Sequence, residues 1–362
     1  MSGGPIIVMA GGTGGHVYPA LAVAEALRAQ SREIVWLGTR HGLEARVVPA
    51  AGIPIEWVSV HGLRGKGKMT LLAAPFRLCF ALLQSLRILA RHRPAAVLGM
   101  GGFVSGPGGL AAWLLRRPLV IHEQNAVSGL TNRLLARLAR VVLQAFPGSF
   151  SSRVNAESVG NPVRADISAI AEPETRMAGR HGPLRLLVLG GSQGALAINR
   201  VLPAALARLP ANIKLSVRHQ TGSRTLAEAE SAYRDSGVEA ELVPFIEDMA
   251  DAYSWADLVV CRAGALTVAE LAAAGLPAIF IPFPAAVDDH QTANATPMAE
   301  AGAATIIDER DLSDELLADT LTAWLLDRER LRKCASIARS LARPDALTDI
   351  TNACLELAGA RA

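Results

Sequence analysis

The chain is short of several things, and each shortage excludes a class of protein. Cysteine occurs four times, at Cys79, Cys261, Cys334 and Cys354, and never as CxxC. That scatter excludes a disulfide scaffold and a cysteine zinc site, and predicts four buried thiols in a reducing compartment. No HxH, HExxH or DxD pattern occurs, so no metal site and no cofactor is expected. Aromatic residues make up only 4% of the chain, which leaves its 51% hydrophobic content mainly to Ala, Leu, Val and Ile. No apolar run is long enough to cross a bilayer. The most apolar stretch, residues 69–90, is broken by Pro75, Arg77 and Arg87, and its longest uncharged run, 78–86, falls far short of about 20 residues. The opening apolar run, 5–10, is too short for a secretory signal and has no basic lead-in.

Acidic residues are missing from one region only. Between Trp57 and His122 there is none, against nine basic residues: Arg64, Lys66, Lys68, Arg77, Arg87, Arg91, Arg93, Arg116 and Arg117. The net charge of +3 hides this asymmetry. Residues 1–162 carry 17 Lys+Arg and 6 Asp+Glu, a surplus of +11, and the remainder carries 19 and 27, a deficit of −8. A basic first half implies an anionic partner.

What is present is a set of four glycine-rich turns, each starting where an apolar run ends. They are GGTGGH at 11–16, GMGGFVSGPGG at 99–109, GGSQGA at 190–195 and RAGALTVAE at 262–270. A strand, a glycine turn and a helix start aim backbone N–H groups at one point, where the helix dipole adds about half a positive charge. That point suits phosphate. Two turns fall in each half, which predicts two nucleotide-fold domains facing a cleft.

Strand-like runs at 6–10, 33–38, 55–60, 96–100, 119–122 and 141–145, then 184–189, 214–219, 240–245, 257–261, 278–282 and 304–307, alternate with helical stretches. This predicts an α/β fold of two Rossmann-like domains with parallel sheets, their ligands bound beyond the carboxyl ends of the strands. With 362 residues the chain exceeds the ~250–300 at which a single core stops growing. The boundary falls near Gly160-Asn161-Pro162-Val163, giving domains 1–162 and 163–345, with the polar stretch 166–183 as a linker. A last helical segment, 346–362, can pack on either domain, the N-terminal one included.

Several motifs fail or succeed on one residue. GGTGGH is not the dinucleotide fingerprint, because Val17 stands where the third glycine belongs. His16 sits at the helix start, where the dipole disfavours its protonated form and suits it to act as a base, against the reading of a turn with a solvated histidine. GLRGKGK at 62–68 is not a P-loop, since Met69 stands where Ser or Thr would hold magnesium; a mobile basic loop for anionic headgroups is expected instead. Cations flanking 69–90 favour a helix lying on an anionic membrane over a core helix. His122-Glu123-Gln124-Asn125 ends a strand, and four polar groups there suggest ligand contacts more than capping. Glu270 lies about 1.5 turns into its helix, where a carboxylate can accept two ribose hydroxyls. Asp288-Asp289-His290-Gln291 reads equally as sugar contacts or as a helix N-cap.

At these residues the chain resembles the MurG family of peptidoglycan glycosyltransferases. MAGGTGGHVYPALA, WLGT, GLRGKG, VLGMGGFVSGPGG, HEQNAVSGLTNR, QAFPG, GNPVR, GGSQGA, ADLVVCRAGALTVAELAAAGLP and DDHQTANA occur in order over nearly its whole length. The resemblance implies a GT-B fold, with acceptor lipid and membrane on the N-terminal domain and UDP-GlcNAc mainly on the C-terminal one. It implies transfer of N-acetylglucosamine from UDP-GlcNAc to the 4-hydroxyl of undecaprenyl-diphospho-muramoyl-pentapeptide, lipid I, on the cytoplasmic face of the inner membrane. The partners it implies are UDP-GlcNAc, lipid I and an anionic membrane surface, with no nucleic acid. Donor contacts carry over to Thr13, Gly14, Gly15, Asn125, Arg164, Ser192, Ile246, Ala265, Leu266, Thr267, Val268, Ala269, Glu270 and Gln291, with the Ile246 backbone on the uracil. Phe103 and Ala269 depart from the family's usual Tyr and Ser.

An α-linked donor and a β-linked product require inversion, hence one in-line displacement. The acceptor hydroxyl needs a base, for which His16 comes first and Glu123 second. The departing diphosphate needs backbone N–H groups, Ser192 and a cation such as Arg164. A UDP-GlcNAc 2-epimerase, a dehydrogenase and a non-catalytic sugar-nucleotide binder are the other classes; a dehydrogenase would need the missing fingerprint.

Overall fold

The computed structural model describes residues 4–60, 74–191, 194–284 and 289–359. The chain divides into two compact units, one of residues 1–162 and 344–362, the other of 163–343.

The first unit is built on seven parallel strands: β1 (Ile6–Met9), β2 (Ile34–Gly38), β3 (Ile55–Trp57), β4 (Ala96–Gly99), β5 (Leu119–Glu123), β6 (Val141–Gln144) and β7 (Ala156–Ser158). Their order is β3-β2-β1-β4-β5-β6-β7. The second unit has six: β8 (Leu184–Leu189), β9 (Leu215–Gln220), β10 (Glu241–Val243), β11 (Leu258–Cys261), β12 (Ala278–Phe280) and β13 (Ala304–Ile306), in the order β10-β9-β8-β11-β12-β13. Every strand pair is parallel. The central strands are continuous apolar runs because helices cover both faces, so neither face admits polar residues. Ile6, Ile7, Val8 and Met9 of β1 are buried, as are all four residues of β11.

Both sheets reverse their strand order at one point. In the first unit the reversal lies between β1 and β4, whose last residues, Met9 and Gly99, pair directly. In the second it lies between β8 and β11, where Leu189 pairs with Cys261. At such a point the chain leaves the two strand ends in opposite directions and opens a crevice for ligands. The four glycine turns follow these four strands.

Four details differ from the sequence reading. Strand β7 was not anticipated: Ala156-Glu157-Ser158 is short, polar and at the sheet edge, so it carries no apolar alternation. The stretch 166–183 is no linker. It contributes to helices Ala165–Ser168 and Pro173–Arg176 and belongs to the second unit. Arg176 donates to the carbonyls of Ala256 and Gly275, both at 2.8 Å, and Arg180 pairs with buried Asp257 at 2.6 Å. Long side chains reach in from a polar segment, which is why its composition misleads. Third, Cys79 is exposed, whereas the other three free cysteines are buried. Fourth, the second unit ends at Arg343 and not at 345; helix Ala346–Gly359 takes the N-terminal one of the two packings the sequence allowed, on helix Gly14–Ala29 and on β4 and β5. Its Ile350, Cys354 and Leu357 join the core that holds Val17, Leu27 and Leu98.

Candidate functional site

In the first unit, β1 runs into the turn 11–13 and then helix Gly14–Ala29, with Thr13 as an extended N-cap whose side chain makes no capping bond. Gly14 and Gly15 open the helix, so its first N–H groups face outward without a side-chain cap. Buried Glu44 anchors the turn. Its carboxylate accepts from Gly12 N at 3.0 Å, Thr39 N at 2.9 Å and Thr39 Oγ1 at 2.7 Å. The turn after β4 presses against it. Gly101 and Gly102 have φ of +94° and +81°, and a Cβ at 102 would lie 2.3 Å from the Gly11 carbonyl oxygen. A Cβ at 101 would lie 2.7 Å from His16 Nδ1, so glycine there makes room for the imidazole.

His16 is half-buried, and its Nδ1 lies 2.9 Å from Gln124 Oε1. Gln124 Nε2 lies 3.1 Å from His122 Nδ1 and 3.3 Å from the His122 carbonyl, while His122 Nε2 lies 2.9 Å from the Gly160 carbonyl. Burial lowers the pKa of His122 to about 4, so it is neutral. The end of β5 is therefore an internal network. His122, Glu123 and Gln124 are all buried, which corrects their reading as ligand contacts; Asn125 alone of the four is half-exposed.

Glu123 has a different employment from the one anticipated. Oε1 accepts from Asn125 N at 3.0 Å and Asn125 Nδ2 at 3.1 Å, and Oε2 from Gly129 N at 3.1 Å and Asn132 Nδ2 at 2.9 Å. Four donors occupy its lone pairs, so it organises the loop and helix start that follow β5 rather than waiting for a proton.

In the second unit, helix Ala265–Ala274 starts after β11 with Gly264 as an extended N-cap, again without a side-chain cap. Ala265 and Val268 face the core; Leu266, Thr267, Ala269 and Glu270 are half-buried. Tyr253 Oη donates to Glu270 Oε2 at 3.0 Å, and Arg164 Nε lies 4.0 Å from Glu270 Oε1. Burial is the main cause raising the Glu270 carboxyl above its ordinary range; Tyr253 and Arg164 oppose it. The phenol of Tyr253 is also raised, by burial first and then by Glu270, so it stays protonated and keeps donating. Arg164 is exposed, at the N-cap of helix Ala165–Ser168.

Gln291 Oε1 accepts from Ala263 N at 3.2 Å and Phe283 N at 3.0 Å, tying the end of β11 to the end of β12. With its oxygen engaged, its amide has N–H groups to offer a ligand. Ile246 is half-buried in the loop between β10 and helix Met249–Trp255. Asp289 takes the N-cap position of helix His290–Glu300 without a capping bond and accepts from Thr292 Oγ1 at 2.8 Å. Ser192 and Asp288 lie outside the described residues, as do Arg64, Lys66 and Lys68. Among the described residues, no group of three His, Cys, Asp or Glu could hold a metal ion.

The structure thus brings Arg164 and Glu270 together, and sets His16 against the strand-end network. Glu44 and Tyr253 were missed as working residues, and Gln124 was read as a ligand contact rather than as a partner of His16. Tyr253 carried a usable signal, being one of three tyrosines in the chain. Glu44 carried none, because the turn it anchors lies 32 residues away.

The sequence profile of the Glycosyltransferase family 28 N-terminal domain matches residues 6–144, and that of the Glycosyltransferase family 28 C-terminal domain matches 185–350. The chain is 60% identical over 352 residues to the UDP-N-acetylglucosamine--N-acetylmuramyl-(pentapeptide) pyrophosphoryl-undecaprenol N-acetylglucosamine transferase of Alkalilimnicola ehrlichii, covering 97% of this chain and 98% of that one. It is 58% identical to the protein of the same name from Nitrosococcus oceani, over 98% of each. The crystal structure of Acinetobacter baumannii MurG superposes with a TM-score of 0.87 at 41% identity, covering 98% of this chain and 99% of that one.

Proposed function

Because the chain belongs to glycosyltransferase family 28, and within it to the MurG transferases, we propose that it moves N-acetylglucosamine from UDP-GlcNAc to the muramoyl 4-hydroxyl of undecaprenyl-linked lipid I. The product is lipid II, a peptidoglycan precursor. The observation that carries the donor half is the Glu270 site. A carboxylate oriented by Tyr253, with Arg164 4.0 Å away, sits within an uncapped helix at the strand-order reversal. The carboxylate accepts ribose hydroxyls, while the helix start and Arg164 face diphosphate. Thr13, Gly14, Gly15, Asn125, Ser192, Ile246, Ala265 to Ala269 and Gln291 complete the donor set. The first unit takes the lipid acceptor and the second takes most of UDP-GlcNAc.

The reaction is a single displacement. His16 accepts the proton of the 4-hydroxyl as that oxygen bonds the anomeric carbon from the face opposite the leaving group. The anomeric C–O bond breaks with its electron pair going to UDP, and the configuration inverts. Backbone N–H groups and Arg164 stabilise the departing charge. The test is label transfer from UDP-GlcNAc to a short-chain lipid I analogue in excess EDTA. Transfer at the undiminished rate is expected. Loss of transfer restored by magnesium or manganese would show that a metal carries the diphosphate, and no transfer by a folded protein would end the transferase reading.

The lipid acceptor calls for peripheral attachment to the cytoplasmic face of the inner membrane. Among the described residues no helix is long and apolar enough to cross a membrane. Helix Ala74–His92 buries Ala81, Ser85, Ile88 and Leu89, yet leaves Phe76, Phe80 and Leu83 exposed at 78%, 56% and 55%. These three recur at i, i+4 and i+7, on one face, with Arg77 and Arg87 exposed near them. Arg91 is paired with Glu56, so it adds less charge than the sequence suggests. An apolar face rimmed by cations suits an anionic bilayer surface. Binding to anionic vesicles should weaken in salt without vanishing, since salt screens charge but not apolar burial. The triple change Phe76→Ser, Phe80→Ser, Leu83→Ser should lower vesicle binding about tenfold at least and spare UDP-GlcNAc affinity. A triple variant that co-sediments like the parent would remove this face from the membrane.

A further inference from the structure

We propose that Gln124 and His122 are positioning residues that hold His16 in one tautomer, with the proton on Nδ1 and the lone pair on Nε2. This rests on the reading of His16 as the base. The direction of every hydrogen bond follows from two backbone carbonyls, which can only accept.

The first is Gly160 O, 2.9 Å from His122 Nε2, so His122 Nε2 carries a hydrogen. His122 is neutral, because burial holds its pKa at about 4. Its Nδ1 is therefore bare and must accept. The group 3.1 Å away is Gln124 Nε2, which donates to it. The second carbonyl is His122 O, 3.3 Å from the same Nε2. Two acceptors on one side fix which end of the Gln124 amide is nitrogen. Gln124 Oε1 then faces His16 Nδ1 at 2.9 Å, and an amide oxygen only accepts, so His16 Nδ1 carries the hydrogen. In the neutral imidazole the lone pair is left on Nε2, the nitrogen that can take a proton from an acceptor hydroxyl.

The chain of bonds is held from outside. Asn161 Nδ2 donates to the Gln124 carbonyl at 2.9 Å, fixing the backbone from which the amide springs. Gly101 leaves room for the His16 ring against the neighbouring turn. Reversing the His16 tautomer would set a ring lone pair against the Gln124 oxygen, in an amide that is only 1% exposed. An unmet buried acceptor disfavours that state by roughly tenfold to a hundredfold. The network thus does for His16 what a buried partner does for the histidine of a catalytic triad: it selects the tautomer. After proton transfer the imidazolium keeps its Nδ1–H on the same oxygen, so no heavy atom has to move.

Nitrogen-15 NMR of the full chain, without ligands, reads the tautomer directly. With His16 neutral, Nδ1 should resonate as a protonated nitrogen and Nε2 as a bare one. A proton found on Nε2, or averaged signals, overturns the proposal whatever the turnover. Gln124→Met removes all three side-chain hydrogen bonds of the amide at similar volume. It should average the two tautomers, a loss of about twofold, and leave the imidazolium without its Nδ1–H acceptor, together lowering kcat by about tenfold to a hundredfold, with KM for UDP-GlcNAc unchanged. A variant that keeps one tautomer and full kcat also overturns it. Should Gln124→Met fail to fold, the parent spectrum alone decides. Full turnover by His16→Ala would instead overturn the base assignment, and the parent spectrum would still say whether the network sets the tautomer.

Discussion

Turnover of the His16→Ala variant should fall by about 10²–10⁴-fold, the usual worth of a positioned general base, with UDP-GlcNAc affinity nearly unchanged. The two readouts separate because the base acts on the acceptor hydroxyl, whereas the Glu270 site belongs to the other unit. Glu123→Gln makes the matched control. Glu123 is buried and accepts four hydrogen bonds from Asn125, Gly129 and Asn132. A glutamine there must turn an N–H group toward one pair of those donors, so the loop 124–132 should loosen and thermal stability should drop. Turnover should fall only as far as that loop shifts Asn125. If Glu123→Gln abolishes turnover in a stably folded protein and His16→Ala does not, the two roles must be exchanged. Label transfer to the lipid I analogue and calorimetric titration of the donor measure both halves.

The sequence shows most clearly what is repeated along it. Runs such as Ile6–Met9 and Leu184–Leu189 mark buried parallel strands because no polar residue can share either face, and glycine turns mark the strand ends that line the reversal points. What it hides is employment. His122, Glu123, Gln124 and Asn125 are all polar at one strand end, yet three are consumed by internal bonds and one is half-exposed. Residue type fixes how many bonds each can make but not where the partners are: Gly160 and Asn161 arrive from beyond β7. Glu44 and Tyr253 are concealed for the same reason, since each works on a residue 17 or more positions away. The stretch 166–183 misleads in the opposite sense. Its polarity suggests solvent, but Arg176 and Arg180 spend their charge on the carbonyls around Ala256 and on Asp257. The exposed apolar face of helix Ala74–His92 was legible as a surface helix from its flanking cations, although Lys66 and Lys68 lie outside the described residues.

Glu270→Ala should weaken UDP-GlcNAc by about 10²-fold or more, because two ribose hydroxyls lose a charged acceptor and such bonds contribute about 1.5–3 kcal/mol each. Calorimetry decides it: unchanged affinity would remove Glu270 from the ribose. The pH dependence adds an independent signature. Burial pushes the Glu270 carboxyl above its ordinary value of 4.5. Donor affinity should therefore begin to fall, as pH is lowered, at a higher pH than a solvated glutamate would impose, and be full well above that point. Stability should move the other way. A carboxyl whose folded pKa is raised stabilises the fold only when protonated, and that contribution is lost as pH rises through the folded value. At neutral pH the ionised group is thus a burden on the fold, retained for what it binds. Glu270→Gln removes the charge while still offering Tyr253 Oη an acceptor, a bond of 3.0 Å in the parent. It should melt no lower than the parent at neutral pH and still bind the donor less well. A Glu270→Gln protein that melts well below the parent and binds UDP-GlcNAc normally would make this residue a structural anchor for Tyr253 and leave the nucleotide to other groups.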